Sequence, residues 1–243
     1  NNNTGNGGRM NYYNVSYGML GTRVKDVPEG FTQIMEEDLK SATKKVENVD
    51  LRNKYLQKSG DYPFNIYYDK IEGKINGIQK EDYSAGISLK VDITDNDGDN
   101  SIVQIKFYSK YTENLLNRLA NISDIDGKFT LTPYAIPTEF EPEPGKKIAL
   151  YNQGISLKEE GTKVEVKYKN DDKDLPATER VQNAEGKLQT SRVNRINFLY
   201  DVVSSKFNGK TESTKVETKS EPKTSKKVES KVEEDVDDDL LPF

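Results

Sequence analysis

Apolar and polar residues alternate most cleanly in two neighbouring stretches. In GISLKVDIT (86–94), Ile87, Leu89, Val91 and Ile93 fall on one side and Ser88, Lys90, Asp92 and Thr94 on the other. In SIVQIKFYS (101–109), Val103, Ile105 and Phe107 oppose Gln104, Lys106 and Tyr108. The intervening DNDGDN is rich in turn formers, so the pattern predicts a β-hairpin. Upstream, 63–83 reads as one long strand broken at Gly73 and Gly77, residues suited to a bulge or a sharp bend. Downstream, Leu115, Leu116, Leu119 and Ile122 recur at helical spacing over 111–122. Strands are then expected at 128–136, interrupted by Pro133, and at 146–157 and 162–169. The run INFLYDVV (196–203) fits a helix or a strand equally.

Long bent strand, two hairpin strands, short helix and two more strands is the element order of the OB-fold. That barrel has five strands, with a helix between the third and fourth. The expectation is therefore a mainly β chain with an OB-fold domain at 63–207. Residues 10–62 form an N-terminal extension packed on the barrel, with strand-like NYYNVSYGMLGTRV and an amphipathic helix over 36–49 built on Leu39, Ala42, Val46 and Val49. Residues 1–9 are Asn- and Gly-rich and are expected to be disordered. Residues 208–243 hold Lys, Glu, Ser, Thr and Val with almost no large apolar group until the end, too little to offset chain entropy, and read as a flexible tail.

Composition narrows the chemistry. Of 243 residues, 33% are hydrophobic and 32% charged, and there is no Cys, His or Trp. Disulfides, thiolate chemistry, the usual general base and the commonest transition-metal ligand are all excluded. No GxxxxGK[ST] phosphate loop is present. The cluster Asp95, Asp97 and Asp99 lacks the Gly and Glu of a calcium loop, with Asn100 and Lys106 at those positions, and reads as a solvated turn. Acids elsewhere are scattered. The expectation is a binding protein, not an enzyme, without cofactor or metal. No segment has the roughly 18–20 consecutive apolar residues of a membrane helix. The opening NNNTGNGGRM has no apolar run of signal-peptide type, which predicts a cytoplasmic location.

The net charge of −5 conceals an asymmetry. Residues 233–243, EEDVDDDLLPF, carry six acids and no base, leaving 36 basic against 35 acidic residues in the remainder. The body is thus close to neutral, while 210–232 holds seven Lys and four Glu. On the hairpin face opposite the apolar stripe stand Lys90, Gln104, Lys106 and Tyr108. Ammonium groups beside an aromatic ring suit a single-stranded nucleic acid, neutralising phosphate while the ring stacks on a base. Lys70, Lys74, Lys80 and Lys110 extend the track, with Tyr67, Tyr68, Tyr111 and Tyr134 as further candidate platforms.

An acidic run ending in large apolar groups suits a docking peptide better than a purely solubilising tail. The segment DDDLLPF resembles the acidic tip of bacterial and phage single-stranded DNA-binding proteins, in which an Asp run precedes an aliphatic residue and Pro-Phe. Asp237, Asp238 and Asp239 match the acid run and Pro242 and Phe243 the final pair. Leu240 and Leu241 stand where the family has one aliphatic residue. The stretches IYYDKIEGKINGI, 86–109 and FTLTPYAIP also resemble OB-fold proteins of that function from tailed phages. The resemblance implies sequence-independent coating of single-stranded DNA in replication, recombination and repair. It also implies recruitment of helicase, polymerase, primase or nuclease through the tip, in a host bacterial cytoplasm. The rival expectation is a structural or adaptor protein whose tail docks a partner without DNA. A carbohydrate-directed sheet face is a third.

Overall fold

The computed structural model describes residues 10–44, 49–182, 186 and 188–208. The segments expected to be disordered (1–9) and tail-like (208–243) therefore lie outside the described residues, apart from Asn208. So do Asp237, Asp238, Asp239, Leu240, Leu241, Pro242 and Phe243.

The chain is mainly β. Five strands come first: β1 (Asn11–Ser16), β2 (Met19–Val24), β3 (Thr32–Gln33), β4 (Lys54–Gln57) and β5 (Phe64–Tyr68), with helix α1 (Glu36–Lys44) between β3 and β4. Then come β6 (Ile71–Tyr83), β7 (Gly86–Thr94), β8 (Asn100–Lys106), α2 (Lys110–Leu119), β9 (Lys128–Glu143) and β10 (Lys146–Glu159). The short β11 (Thr162–Lys163), β12 (Glu179–Gln182) and β13 (Leu188–Ser191) precede α3 (Val193–Asn208). Eleven strands form one sheet in the order β11-β10-β9-β6-β7-β8-β1-β2-β5-β4-β3, and β12 pairs with β13 separately. Among the described residues no helix is long and apolar enough to cross a membrane.

The central hairpin follows its alternation. Leu89, Val91, Val103 and Ile105 are at most 2% exposed and pack with Ile75, Ile78, Phe129, Leu131, Ile155 and Leu157. Fully burying such a side chain stabilises by about 1.5–3 kcal/mol. Leu115, Leu116 and Leu119 of α2 and Ile196, Leu199 and Val203 of α3 are all 0% exposed and complete this core. Ser109 caps α2 in extended geometry (φ −129°, ψ 161°), its hydroxyl accepting the Thr112 amide.

Several expectations are corrected. The five strands β6 to β10 do not close into a barrel by hydrogen bonding, because the edges that would meet are taken. The outer edge of β8 pairs in parallel with β1. At β10 the Ile155 amide donates to Asn114 Oδ1 of α2 at 3.0 Å. Strands β1 to β5 thus belong to the same sheet rather than to an appendage laid upon it. The long strand over 63–83 is two strands, β5 and β6, and the register of β6 against β7 shifts between Ile75 and Gly77. Pro133 does not interrupt β9. Because the Ile155 amide points at α2, its cross-strand partner Pro133 occupies a position that needs no N–H toward β10. On the β6 side the β9 ladder ends at Leu131. The strand expected over 162–169 is only Thr162–Lys163, and the ambiguous 196–203 is helix.

The β1–β2 turn reaches across the gap between β8 and β9. Tyr17 (φ 54°) and Gly18 (φ 70°) both have positive φ, as a two-residue type I′ hairpin turn demands. The Gly18 amide donates to the Tyr111 hydroxyl at 3.0 Å, and a Cβ on Gly18 would lie 2.8 Å from the Tyr134 carbonyl carbon. Helix α1 lies on the β2–β5–β4 end, where Leu39, Leu51, Leu56 and Tyr67 form a second, smaller core. Burial there raises the Tyr67 phenol to about 12 and raises that of Tyr17 as well.

Candidate nucleic-acid interface

The pleat turns one side of β6, β7, β8 and β1 away from the core, and the register sets its residues in rows. Gln79, Lys90, Gln104 and Asn14 are consecutive cross-strand partners. One row over, on one side, are Glu81, Ser88 and Lys106. On the other side are Gly77, Asp92, Ile102 and Tyr12. Rows on one face are about 7 Å apart, close to the reach of one nucleotide.

Lys90, Gln104 and Lys106 therefore stand together, as the alternation predicts. Lys90 is held by Glu81 at 2.7 Å, with its ammonium 5.3 Å from the Tyr83 ring centroid. The Tyr83 hydroxyl donates to the same Glu81 carboxylate. The hydrogen bond from Lys90 holds the Glu81 carboxyl below its usual range and raises the Lys90 ammonium. Gln104 Nε2 donates to Ser88 Oγ at 3.1 Å. Tyr12 is 53% exposed and Tyr83 37%, so two rings flank the polar rows.

The other candidates lie elsewhere. Lys74 is at the far end of β6, bridged to Asp126 at 2.9 Å in a cleft lined by Asn76, Thr94, Asp95 and Lys128. Tyr108 follows β8 rather than lying in it. It packs edge-on against Phe107 at 5.0 Å and donates to Asn197 Oδ1 of α3 at 3.4 Å. Lys110 opens α2. Tyr111 is only 7% exposed and receives the Gly18 amide, so its ring is a post beneath the β1–β2 turn and not a surface for a base. The Tyr134 hydroxyl crowds Gly154, 2.6 Å from where a Cβ would stand there, and so belongs to the α2–β10 contact. Lys80 turns toward α3, 4.4 Å from the Phe107 centroid, and Lys70 pairs with Glu72 at 2.7 Å. Tyr67 is buried, and Tyr68 meets Tyr13 edge-on at 5.9 Å.

Tyr12, Asn14, Gly77, Tyr83 and Asp92 are among the face residues missing from the sequence-derived set, as are Gln79, Glu81, Ser88 and Ile102. Asp92 and Tyr83 lie within strands that the pattern already predicts, and the alternation of NYYNVS puts Tyr12 and Asn14 on one side of β1. Nothing local, however, announces that β1 docks beside β8.

Asp92 is partly buried, which raises its carboxyl, and no described residue donates a hydrogen bond to it or pairs with it within 4 Å. The Asp95 carboxylate accepts the amides of Asp97 (3.0 Å) and Asp99 (2.9 Å), which closes the β7–β8 turn on itself. Among the described residues no three acids gather to hold a metal ion.

The face can stack two bases and place ammonium and amide donors between them, on strands backed by an apolar core. Comparison with protein-family models, with curated proteins and with solved structures returns no match.

Proposed function

We propose that this chain is a non-enzymatic, sequence-tolerant single-stranded DNA-binding protein of the OB type. It coats DNA in replication, recombination and repair, and recruits partners through DDDLLPF. The observation that carries the reading is the polar face of β6–β7–β8–β1. Lys90, Gln104, Lys106 and Asn14 lie there in register, with exposed Tyr12 and Tyr83 on either side. Phosphate neutralisation with base stacking is what sequence-tolerant binding of a single strand requires, about 1–3 kcal/mol coming from each stacked base.

The chain order β6, β7, β8, α2, β9, β10 supports the OB assignment, as does β6 pairing with both β7 and β9, so that one strand serves both halves. In this reading α2, whose Asn114 holds the Ile155 amide of β10, bridges the gap that a ladder between the third and fifth strands would otherwise close, while the Gly18 turn rests on Tyr111 of α2 and on β9.

The test is a fluorescence-anisotropy titration of labelled oligo-dT, with a duplex of equal length as control, at two salt concentrations. Tight, salt-sensitive binding to the single strand and little to the duplex is expected. Absence of binding at low salt, also after deletion of 233–243, would replace this reading with that of a partner-docking adaptor.

A further inference from the structure

Gly77 is a glycine that neither a positive φ nor a close contact requires. Its φ lies outside the left-handed region, and a Cβ built on it would meet no atom within 4 Å. Gly18 and Gly73 differ: a Cβ on Gly73 would lie 2.7 Å from Ile93 Cγ2 and drive into the Thr94 carbonyl. Gly77 stands at the register shift of β6, on the polar face, directly across from Asp92. A strand glycine without an internal reason marks a place where something outside approaches the backbone.

The chemistry of the notch comes from Asp92. Its carboxylate accepts no hydrogen bond from any described residue, and Lys90, which attracts it electrostatically, is bonded to Glu81 at 2.7 Å. Ile102, its cross-strand neighbour, supplies an apolar floor, and Tyr12, beyond Ile102, an exposed ring. A partly desolvated, acceptor-only carboxylate beside a bare backbone wants a flat ligand with paired N–H donors. Resting on the single-strand reading above, we infer that the Gly77 notch is a nucleobase subsite in which Asp92 accepts the ring imino and exocyclic amino hydrogens of an unpaired guanine. Adenine and cytosine present one amino group beside a ring acceptor. Thymine presents its imino hydrogen between two carbonyl oxygens that the carboxylate repels. The subsite thus grades bases on a surface that otherwise tolerates all of them.

The experiment is competition against labelled oligo-dT bound to the full chain, in lithium buffer to suppress guanine quadruplexes. Competitors of equal length are all-dT, alternating dT and dG, and alternating dT and deoxyinosine, whose base lacks the amino group. The dG competitor is expected to displace at about fivefold lower concentration than all-dT, the range of a bidentate base contact, with deoxyinosine between them. Asp92→Asn is expected to bring the dG and dT displacement concentrations together, with oligo-dT affinity rising as the carboxylate's repulsion is removed, and Gly77→Val to lower affinity for every competitor with an unchanged thermal midpoint. Equal displacement by dG and dT, or a preference that survives Asp92→Asn, overturns the inference and leaves the single-strand reading standing. Failure to bind oligo-dT at all removes that reading and the subsite with it.

Discussion

Gly77 and Asp92 face each other across the β6–β7 ladder, one with no side chain and the other with a carboxylate that accepts no hydrogen bond from any described residue. Beside the interlocked pairs of Lys90 with Glu81 and Gln104 with Ser88, this pair leaves an opening. The opening lies in the row that ends in the exposed ring of Tyr12.

Three glycines separate structural from functional need. Gly18→Ala meets the β9 backbone at a φ of 70°, and Gly73→Ala meets the Thr94 carbonyl, so each should destabilise by at least about 2 kcal/mol. Gly77→Ala should be neutral or slightly stabilising, because it reduces unfolded-state freedom without a clash. Urea denaturation of the three variants checks the ranking. A Gly77 variant as unstable as the other two would mean that the glycine serves the bulge.

Asp92→Asn should leave stability at neutral pH equal or higher, by less than about 1 kcal/mol. The folded-state pKa lies above the ordinary 3.8, so the native chain holds the extra proton between the two values. The ionised carboxylate then opposes folding, and its unfavourable contribution grows as pH rises through that window. Stability curves of wild type and variant should converge at acid pH and separate above it. A variant less stable at pH 7 would mean that attraction to Lys90 outweighs the cost of burial.

Changing Lys90 and Lys106 together to Ala should weaken single-strand binding. It should also flatten the slope of log affinity against log salt by about 0.7 for each phosphate that the protein no longer neutralises. An unchanged slope places the phosphates on another face.

Tyr12→Ala and Tyr83→Ala should each cost about 1–3 kcal/mol of binding if a base stacks there. Tyr111→Phe removes the acceptor of the Gly18 amide and should lower the thermal midpoint without altering DNA affinity. Unchanged affinity in both alanine variants would remove the stacking role from Tyr12 and Tyr83.

Tyr67 carries an alkaline signature. Its phenol is raised from 10.0 to about 12 by burial against α1, so the folded chain keeps a proton that the unfolded chain gives up. Its contribution to stability is complete below pH 10 and is lost as pH climbs from about 10 toward 12. Tyr67→Phe should remove part of that loss in stability curves measured across the window. An identical alkaline limb in the variant would refute the assignment.

Much of the central architecture is legible in the chain. Alternation over 86–94 and 101–109 settles which side of the hairpin is core, because a strand buried on one face cannot slip by one residue without exposing its apolar set. The Leu115, Leu116 and Leu119 spacing settles α2 for the same reason, at the helical period. Lys90, Gln104 and Lys106 are therefore readable as neighbours. Tertiary structure decided what lies at long range. The apolar run 196–203 satisfies both periods, and it is helical because α3 packs on α2 and at the β6 edge, where the Lys80 amide finds the Tyr200 hydroxyl at 3.0 Å. Parallel pairing of β1 with β8 has no turn to announce it, yet it brings Tyr12 and Asn14 to the face. The same docking buries Tyr111, whose residue type alone suggested a platform. Local sequence sets the period and face of each element. Which edge is covered, and hence which polar residue meets solvent or an acceptor, depends on contacts between segments about 90 residues apart, as Gly18 and Tyr111 illustrate.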